Sequence, residues 1–388
     1  MHATAEILLS IGGIMLLGLL TDLLGRRTFL PRVTLLLLFG MIIGPSLLNL
    51  LPEIFISRFE LIANIALIMV GFLIGGKLSR KLFKSLGKEL VWVSLGAVIG
   101  TVSIVGFALT VVGVSTEIAI LLGCIATATA PAAILDVVEE SKAKGHFVNL
   151  LVSIVALDDA WGLIIFSLGL AMIGLMTGLN GLLPPLLLAF KEIFGAVLIG
   201  LAVGLPAAYL TGRIEEGQPM LFEALGIVFL CGGLAIWFEV SFLIAAIVMG
   251  MTIVNLAKHH KYPFHAIEDI ESPFIIMFFV MAGASLELDS LSGIGVIGTV
   301  YILARITGKI IGVKISGELC KADSSVKNWM GLALLPQAGV AMGMALVASN
   351  HFPEYRQLLL SVIISTTIFF ELIGPVITNR ILKIMANN

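Results

Sequence analysis

Long apolar runs separated by short polar breaks set the pattern of this 388-residue chain. There is no period-two alternation of strands and no one-sided stripe of soluble helices. Thirteen runs can be marked, at roughly 5–24, 33–51, 60–76, 89–113, 117–138, 146–176, 183–211, 219–237, 240–257, 272–287, 291–317, 327–349 and 357–380. Most are close to the ~20 residues that a helix needs to cross a bilayer. The weakest boundary lies between the eighth and ninth, where Trp237-Phe-Glu239 is almost all the loop there is. The pattern predicts an all-α polytopic membrane protein with about 13 transmembrane helices. Composition agrees. Hydrophobic residues make up 59% and charged residues 12%, against about 25% charged in soluble domains, and the mean hydropathy is +1.11.

Charge between the runs predicts orientation. Arg26, Arg27 and Arg32 follow the first run, and Lys77, Arg80, Lys81, Lys84 and Lys88 follow the third. Lys142, Lys144, Arg213, Lys258, Lys261, Lys314, Lys321, Lys327, Arg380 and Lys383 fall in later connections of the same parity. Eighteen of the 23 basic residues thus gather on one side, which the positive-inside rule makes cytoplasmic. The N-terminus is expected outside and the C-terminus in the cytoplasm. The 77–88 cluster also suits a lipid headgroup, but topology alone accounts for it. Met1 to Glu6 has no basic segment of a cleavable signal. Cys124, Cys231 and Cys320 match no metal or redox spacing.

Charge inside the runs points to chemistry. From Gly145 to Phe190 the only charged residues are Asp158 and Asp159, near mid-span. One ionised carboxylate at membrane depth costs roughly 3 kcal/mol, and a neighbour adds repulsion, so the pair reads as a cation or proton site. Between Asp289 and Lys314 the only charged residues are Arg305 and Lys309, four apart on one helix face. Lysine can lose its proton when desolvated and arginine effectively cannot, so Lys309 suits a switching partner and Arg305 a fixed cation. Lys309 also stands near enough to the span end to snorkel out.

Two runs carry helix breakers: Thr127-Ala-Thr129-Ala-Pro131 in the fifth and Pro336-Gln337 in the twelfth. Interior proline removes a donor and clashes with the preceding turn. If runs 1–6 and 8–13 are halves joined by run 7, the fifth corresponds to the twelfth and the second half is inverted. Paired interrupted helices in inverted repeats mark a midplane transport site.

These pieces give a specific resemblance. Thr127-Ala-Thr129-Ala-Pro131, Leu157-Asp158-Asp159-Ala-Trp-Gly162, Lys309-Ile-Ile-Gly312 and Gly331-Leu-Ala-Leu-Leu-Pro336-Gln337-Ala-Gly339 occur in order. The chain resembles the monovalent cation/proton antiporter superfamily in its two-aspartate branch, with NapA-type sodium/proton antiporters and Kef-type membrane domains. The resemblance implies two crossed discontinuous helices. It implies a scaffold that carries a homodimer contact over 1–88 and 218–290, an ion-transporting core over 89–178 and 291–384, and a linker helix over 182–212. It makes Asp159 the ion-binding carboxylate, Asp158 the partner of Lys309, and Thr127 and Thr129 further ligands. Gln337 stands where relatives can carry an acid. Kef-type relatives continue into a cytoplasmic nucleotide-binding domain. This chain stops at Asn388, so such regulation is expected to be absent or supplied elsewhere.

The expected activity is exchange of a monovalent cation, Na⁺ first and Li⁺ or K⁺ next, for protons by alternating access. Carboxylate and carbonyl oxygens suit hard cations. Two titrating aspartates against one cation would make the exchange electrogenic. A proton- or sodium-coupled symporter of an organic anion is the alternative, though the site-bearing runs hold few polar side chains for such a solute. Nothing in the chain suggests an enzyme, a cofactor other than the transported ions, or a nucleic-acid partner. The expected location is a bacterial or archaeal inner membrane.

Overall fold

The computed structural model describes residues 2–25, 30–52, 59–176, 183–210, 220–257, 261–284, 295–337 and 339–386. Among these the regular structure is helical and no strand occurs. The helices are α1 (His2–Gly25), α2 (Arg32–Ile43), α3 (Phe59–Lys77), α4 (Arg80–Val111), α5 (Thr116–Ile125), α6 (Pro131–Ser141), α7 (His146–Met176) and α8 (Leu183–Leu210). They continue as α9 (Met220–Trp237), α10 (Phe242–Leu256), α11 (Lys261–Ala284), α12 (Gly295–Cys320), α13 (Ser324–Ala333), α14 (Gly339–His351) and α15 (Arg356–Ala386). Segments of α4, α7, α8, α12 and α15 are long and apolar enough to cross a membrane, and eight shorter apolar segments accompany them. The protein is an integral membrane protein.

As the helix breakers led one to expect, the fifth run is two helices, α5 and α6, and the twelfth is also two, α13 and α14. The helix edges depart from the expected runs elsewhere. The expected 77–88 loop shrinks to Leu78-Ser79, because Arg80, Lys81, Lys84 and Lys88 lie in the first turns of α4. Lysine and arginine are good helix formers, so charge there does not stop the helix. Similarly, α11 begins at Lys261, well before the expected 272. The short α9–α10 turn has Glu239 at φ 53°, and Ser241 Oγ caps α10 by accepting from the Ile244 N–H (3.3 Å). Arg26, Arg27, Arg213 and Lys258, which entered the orientation argument, lie outside the described residues.

Contacts divide the chain into two units. Unit 1 is Met1–Phe83, Leu135–Glu140 and Glu192–Leu286, and unit 2 is Lys84–Ile134, Ser141–Lys191 and Glu287–Asn388. In unit 1, α2 packs on α11 and α3 on α10. Both seams are closed by glycines facing carbonyls. A Cβ on Gly40 would strike the Val280 carbonyl and one on Gly283 that of Leu37. A Cβ on Gly75 would strike Ile247 and one on Gly250 would strike Phe72. Exchanging the halves of the chain exchanges these seams, as an inverted repeat requires.

In unit 2, α4 lies against α12 through the same device. A Cβ at Gly100 would come within 2.6 Å of Gly312 Cα. This close approach seats α12 in the interior, where Tyr301 and Arg305 are fully buried and Lys309 nearly so. Around them pack Val105 and Leu109 of α4, Leu121 and Leu122 of α5, Phe166 of α7, Met344 of α14 and Phe370 of α15.

Candidate functional site

The site forms within unit 2 where two helices stop short. At the end of α5 the Thr127 and Ala128 N–H groups donate to Cys124 (3.2 Å) and Ile125 (3.3 Å), a tightening final turn. The chain then runs without regular structure to Pro131, the first residue of α6. Proline is at home there, since its missing N–H belongs to a group no intrahelical acceptor would meet. At the end of α13 the Leu334 and Leu335 N–H groups donate to Met330 (3.1 Å) and Leu332 (3.3 Å), and Pro336 follows inside the break. The two breaks touch directly: the Ala130 N–H donates to the Pro336 carbonyl (2.9 Å).

Interrupted helices leave carbonyls without intrahelical donors. Arg305 takes up three of them. Its Nε donates to the Ala126 carbonyl (2.9 Å), Nη2 to Ala128 (2.8 Å) and Nη1 to Leu335 (2.7 Å). One guanidinium therefore ties both breaks, and its carbon lies 4.2 Å from the centre of the Phe370 ring, a cation–π contact.

One turn along α12, Lys309 is 1% exposed. It does not snorkel out. Its Nζ donates to the Thr127 carbonyl (3.2 Å) and to Thr129 Oγ1 (2.9 Å). The Thr129 hydroxyl in turn donates to Asp158 Oδ2 (2.5 Å), and Lys309 Nζ stands 3.8 Å from the same oxygen. The threonine thus bridges a buried acid and a buried base. Asp158 is 0% exposed, and its Oδ1 is buried without a hydrogen-bond partner. Such an orphaned oxygen is a place for a cation or a proton. The Thr127 hydroxyl donates to the Cys124 carbonyl (2.7 Å), so Thr127 meets Lys309 through its backbone. Asp159 lies on α7, and its side chain is outside the described residues. Gln337 is fully buried. Its Nε2 donates to Tyr301 Oη (3.3 Å), while Oε1 has no partner.

The structure therefore brings Thr127, Thr129, Asp158, Arg305, Lys309, Pro336 and Gln337 together around the crossing. Sequence reasoning missed two residues of this crossing and a third, on α15, that lies outside it. Tyr301 and Phe370, which receive Gln337 and Arg305, carry no signal, since buried aromatics are ordinary. Glu371 does carry one: it is the only charged residue between Arg356 and Arg380.

A crossing of two broken helices around a buried acid–base pair defines a secondary ion transporter. The family model described as "Sodium/hydrogen exchanger, transmembrane" matches residues 12–384, and the chain belongs to that family. It is 25% identical over 334 residues to Probable Na(+)/H(+) antiporter 2 of Methanocaldococcus jannaschii, covering 77% of this chain and 75% of that protein. It is 20% identical over 379 residues to Ammonium/H(+) antiporter subunit AmhT of Alkalihalophilus pseudofirmus, covering 96% and 94%. The fold matches the sodium proton antiporter MjNhaP1 from Methanocaldococcus jannaschii at pH 8 with a TM-score of 0.76 and 20% identity, over 100% of this chain and 99% of that one.

Proposed function

We propose that the protein exchanges a small monovalent cation for protons across the membrane by alternating access. The observation that carries this reading is the buried Lys309–Thr129–Asp158 chain at the crossed breaks, in a member of this family. On the acidic side protons neutralise the aspartates. On the other side they leave, and the cation takes carboxylate oxygen with the help of break carbonyls. Asp159 is the cation-binding carboxylate in this reading and Asp158 its neighbour, held by Thr129 and Lys309. Cation binding then competes with the Lys309 interaction, and two protons moved against one cation make the cycle electrogenic. Arg305 holds the breaks in register and is not titrated.

The remaining parts of the reading are proposals of the same kind. They are thirteen crossings with the N-terminus outside and the C-terminus in the cytoplasm, a homodimer through the scaffold helices, a bacterial or archaeal inner membrane, and no enzymatic step. Among cations, Na⁺ leads, with Li⁺ and K⁺ behind it, and the ammonium-handling relative adds NH₄⁺ to the set. The symport alternative finds no support among the relatives.

The test is a proteoliposome with an imposed pH gradient, challenged in turn with Na⁺, Li⁺, K⁺ and NH₄⁺ while lumenal pH is followed. At least one cation should dissipate the gradient. Asp159→Asn should abolish the response while the protein still folds, because an amide cannot cycle a proton. No response to any of them in wild type, or full exchange by Asp159→Asn, defeats the reading.

A further inference from the structure

Glu371 has no part in the centre described above. Along α15 it lies nine residues before Arg380 and fifteen after Arg356. At 1.5 Å per residue that is about 14 Å and about 22 Å, deep inside a hydrocarbon layer of about 30 Å. The residues one and two turns away on its face, Thr367, Gly374 and Thr378, are all buried. Gly374 backs onto the second break, since a Cβ there would come within 2.7 Å of Pro336 Cα. Thr378 Oγ1 donates to the Ala333 carbonyl (3.0 Å). Glu371 thus projects from the margin of the face that α15 lays against the second break. Thr367 Oγ1 and Gln337 Oε1 are buried without hydrogen-bond partners.

No counter-charge meets Glu371 among the described residues. On α12, Arg305 is spent on three carbonyls, Lys309 on Thr129 and Asp158, and Tyr301 on Gln337. Lys314 and Glu318 stand in the last turns of α12. Lys327 of α13 pairs with Glu318 (3.3 Å). Glu117 lies in the first turn of α5, His351 ends α14, and Glu354 and Tyr355 precede α15. A carboxyl at membrane depth without a positive partner is cheapest in its neutral form.

We propose that Glu371 is a second proton-binding site of unit 2, separate from the Asp158 centre, and that it must be protonated for the site-bearing helices to change the side they face. The proposal rests on the exchanger reading and deepens it. Protonated, the side chain crosses hydrocarbon as a neutral group. Once the proton has left its carboxyl oxygen for water on the alkaline side, the charge created there holds α15 in place. Reprotonation from that same water restores the mobile form, so alkaline pH there slows the cycle. The helix packed on the second break thereby carries an acid, although the break's own polar residue, Gln337, is an amide.

The experiment is infrared spectroscopy of the full chain in liposomes across pH, with the pH profile of exchange, for wild type, Glu371→Gln and Glu371→Asp. The wild type should show a protonated-carboxyl band that titrates, is missing in Glu371→Gln and is displaced in Glu371→Asp. Glu371→Gln should exchange, with less loss at high pH. One pH unit beyond the midpoint of the wild-type alkaline fall it should be about tenfold more active, because a single carboxyl is then about one-tenth protonated. Glu371→Asp should restore the fall. A band that persists in Glu371→Gln, superimposable profiles, or a folded Glu371→Gln inactive at every pH overturns the proposal. If Glu371→Gln does not fold, Glu371→Asp decides: a displaced band supports the site and an unmoved band overturns it. Wild-type exchange in the same liposomes tests the underlying function separately.

Discussion

The first break presents side-chain chemistry to the site, and the second presents mostly backbone. Thr129 donates to Asp158 and accepts from Lys309, whereas Pro336 and Leu335 contribute carbonyls to Ala130 and Arg305. Their prolines differ as well. Pro131 opens the helix after its break, while Pro336 sits inside its own break. An inverted repeat thus keeps the backbone plan while the chemistry diverges. In the proposed exchange the first break is the reactive side and the second its support. Unwinding and titration are therefore separable, because Arg305 serves both breaks and Lys309 only the first.

The largest effect should follow from removing what the breaks share. Arg305→Gln leaves carbonyls of both breaks without their donor in a buried site, a loss of about 3–5 kcal/mol. Folded yield and melting temperature in detergent should collapse. Arg305→Lys should rescue little, since one ammonium cannot reproduce the planar fork. If Arg305→Gln melts like wild type, the Ala130–Pro336 bond alone joins the breaks and Arg305 is not their common tie.

Lys309→Gln touches only the first break, so it should spare the fold and alter the electrical behaviour. Thr129 still donates to Asp158, which limits the damage. The current on a solid-supported membrane should fall or vanish, or the pH profile should move, by more than the cation KM changes. A variant with wild-type current and pH profile would remove Lys309 from the coupling and return Arg305 as the candidate.

Thr129 tests the side-chain chemistry of the first break directly. Thr129→Val removes the hydroxyl that joins acid to base and leaves buried groups unsatisfied, which costs about 1–3 kcal/mol, or roughly five- to 150-fold in cation affinity. Thr129→Ser keeps the hydroxyl and should recover most of the loss. Equal behaviour of the two variants would make Thr129 a packing residue.

How far the site is legible in the sequence follows the same divide. Buried charge in an apolar run has a high cost, so Asp158, Asp159, Arg305 and Lys309 stand out from the sequence alone. Proline marks both breaks for a steric reason. The partners of these residues are not legible. That Arg305 reaches Ala126, Ala128 and Leu335 depends on backbone carbonyls, which every residue has. That Tyr301 meets Gln337 depends on which face of α12 the glycine seam with α4 turns inward. Helix edges fail where lysine and arginine extend a helix beyond the hydrocarbon, as at Arg80 and Lys261. Glu371 is visible in principle, yet no partner motif singles it out.

The smallest effect is expected at the second break. Tyr301→Phe removes the hydroxyl that accepts from Gln337 Nε2 (3.3 Å). That hydrogen bond is long and neutral, so its loss should cost about 1 kcal/mol of stability, the net value of an ordinary intramolecular hydrogen bond. Exchange should change by less than about fivefold, because no titrating group loses a partner. Gln337 already leaves Oε1 unpartnered, so the site tolerates an unsatisfied amide. Melting temperature and initial exchange rate, taken together, check this. A loss of exchange as deep as that of Thr129→Val, with the melting temperature nearly unchanged, would mean that Tyr301 and Gln337 act on the transported ion. The second break would then be reactive in its own right, and its contrast with the first would not hold.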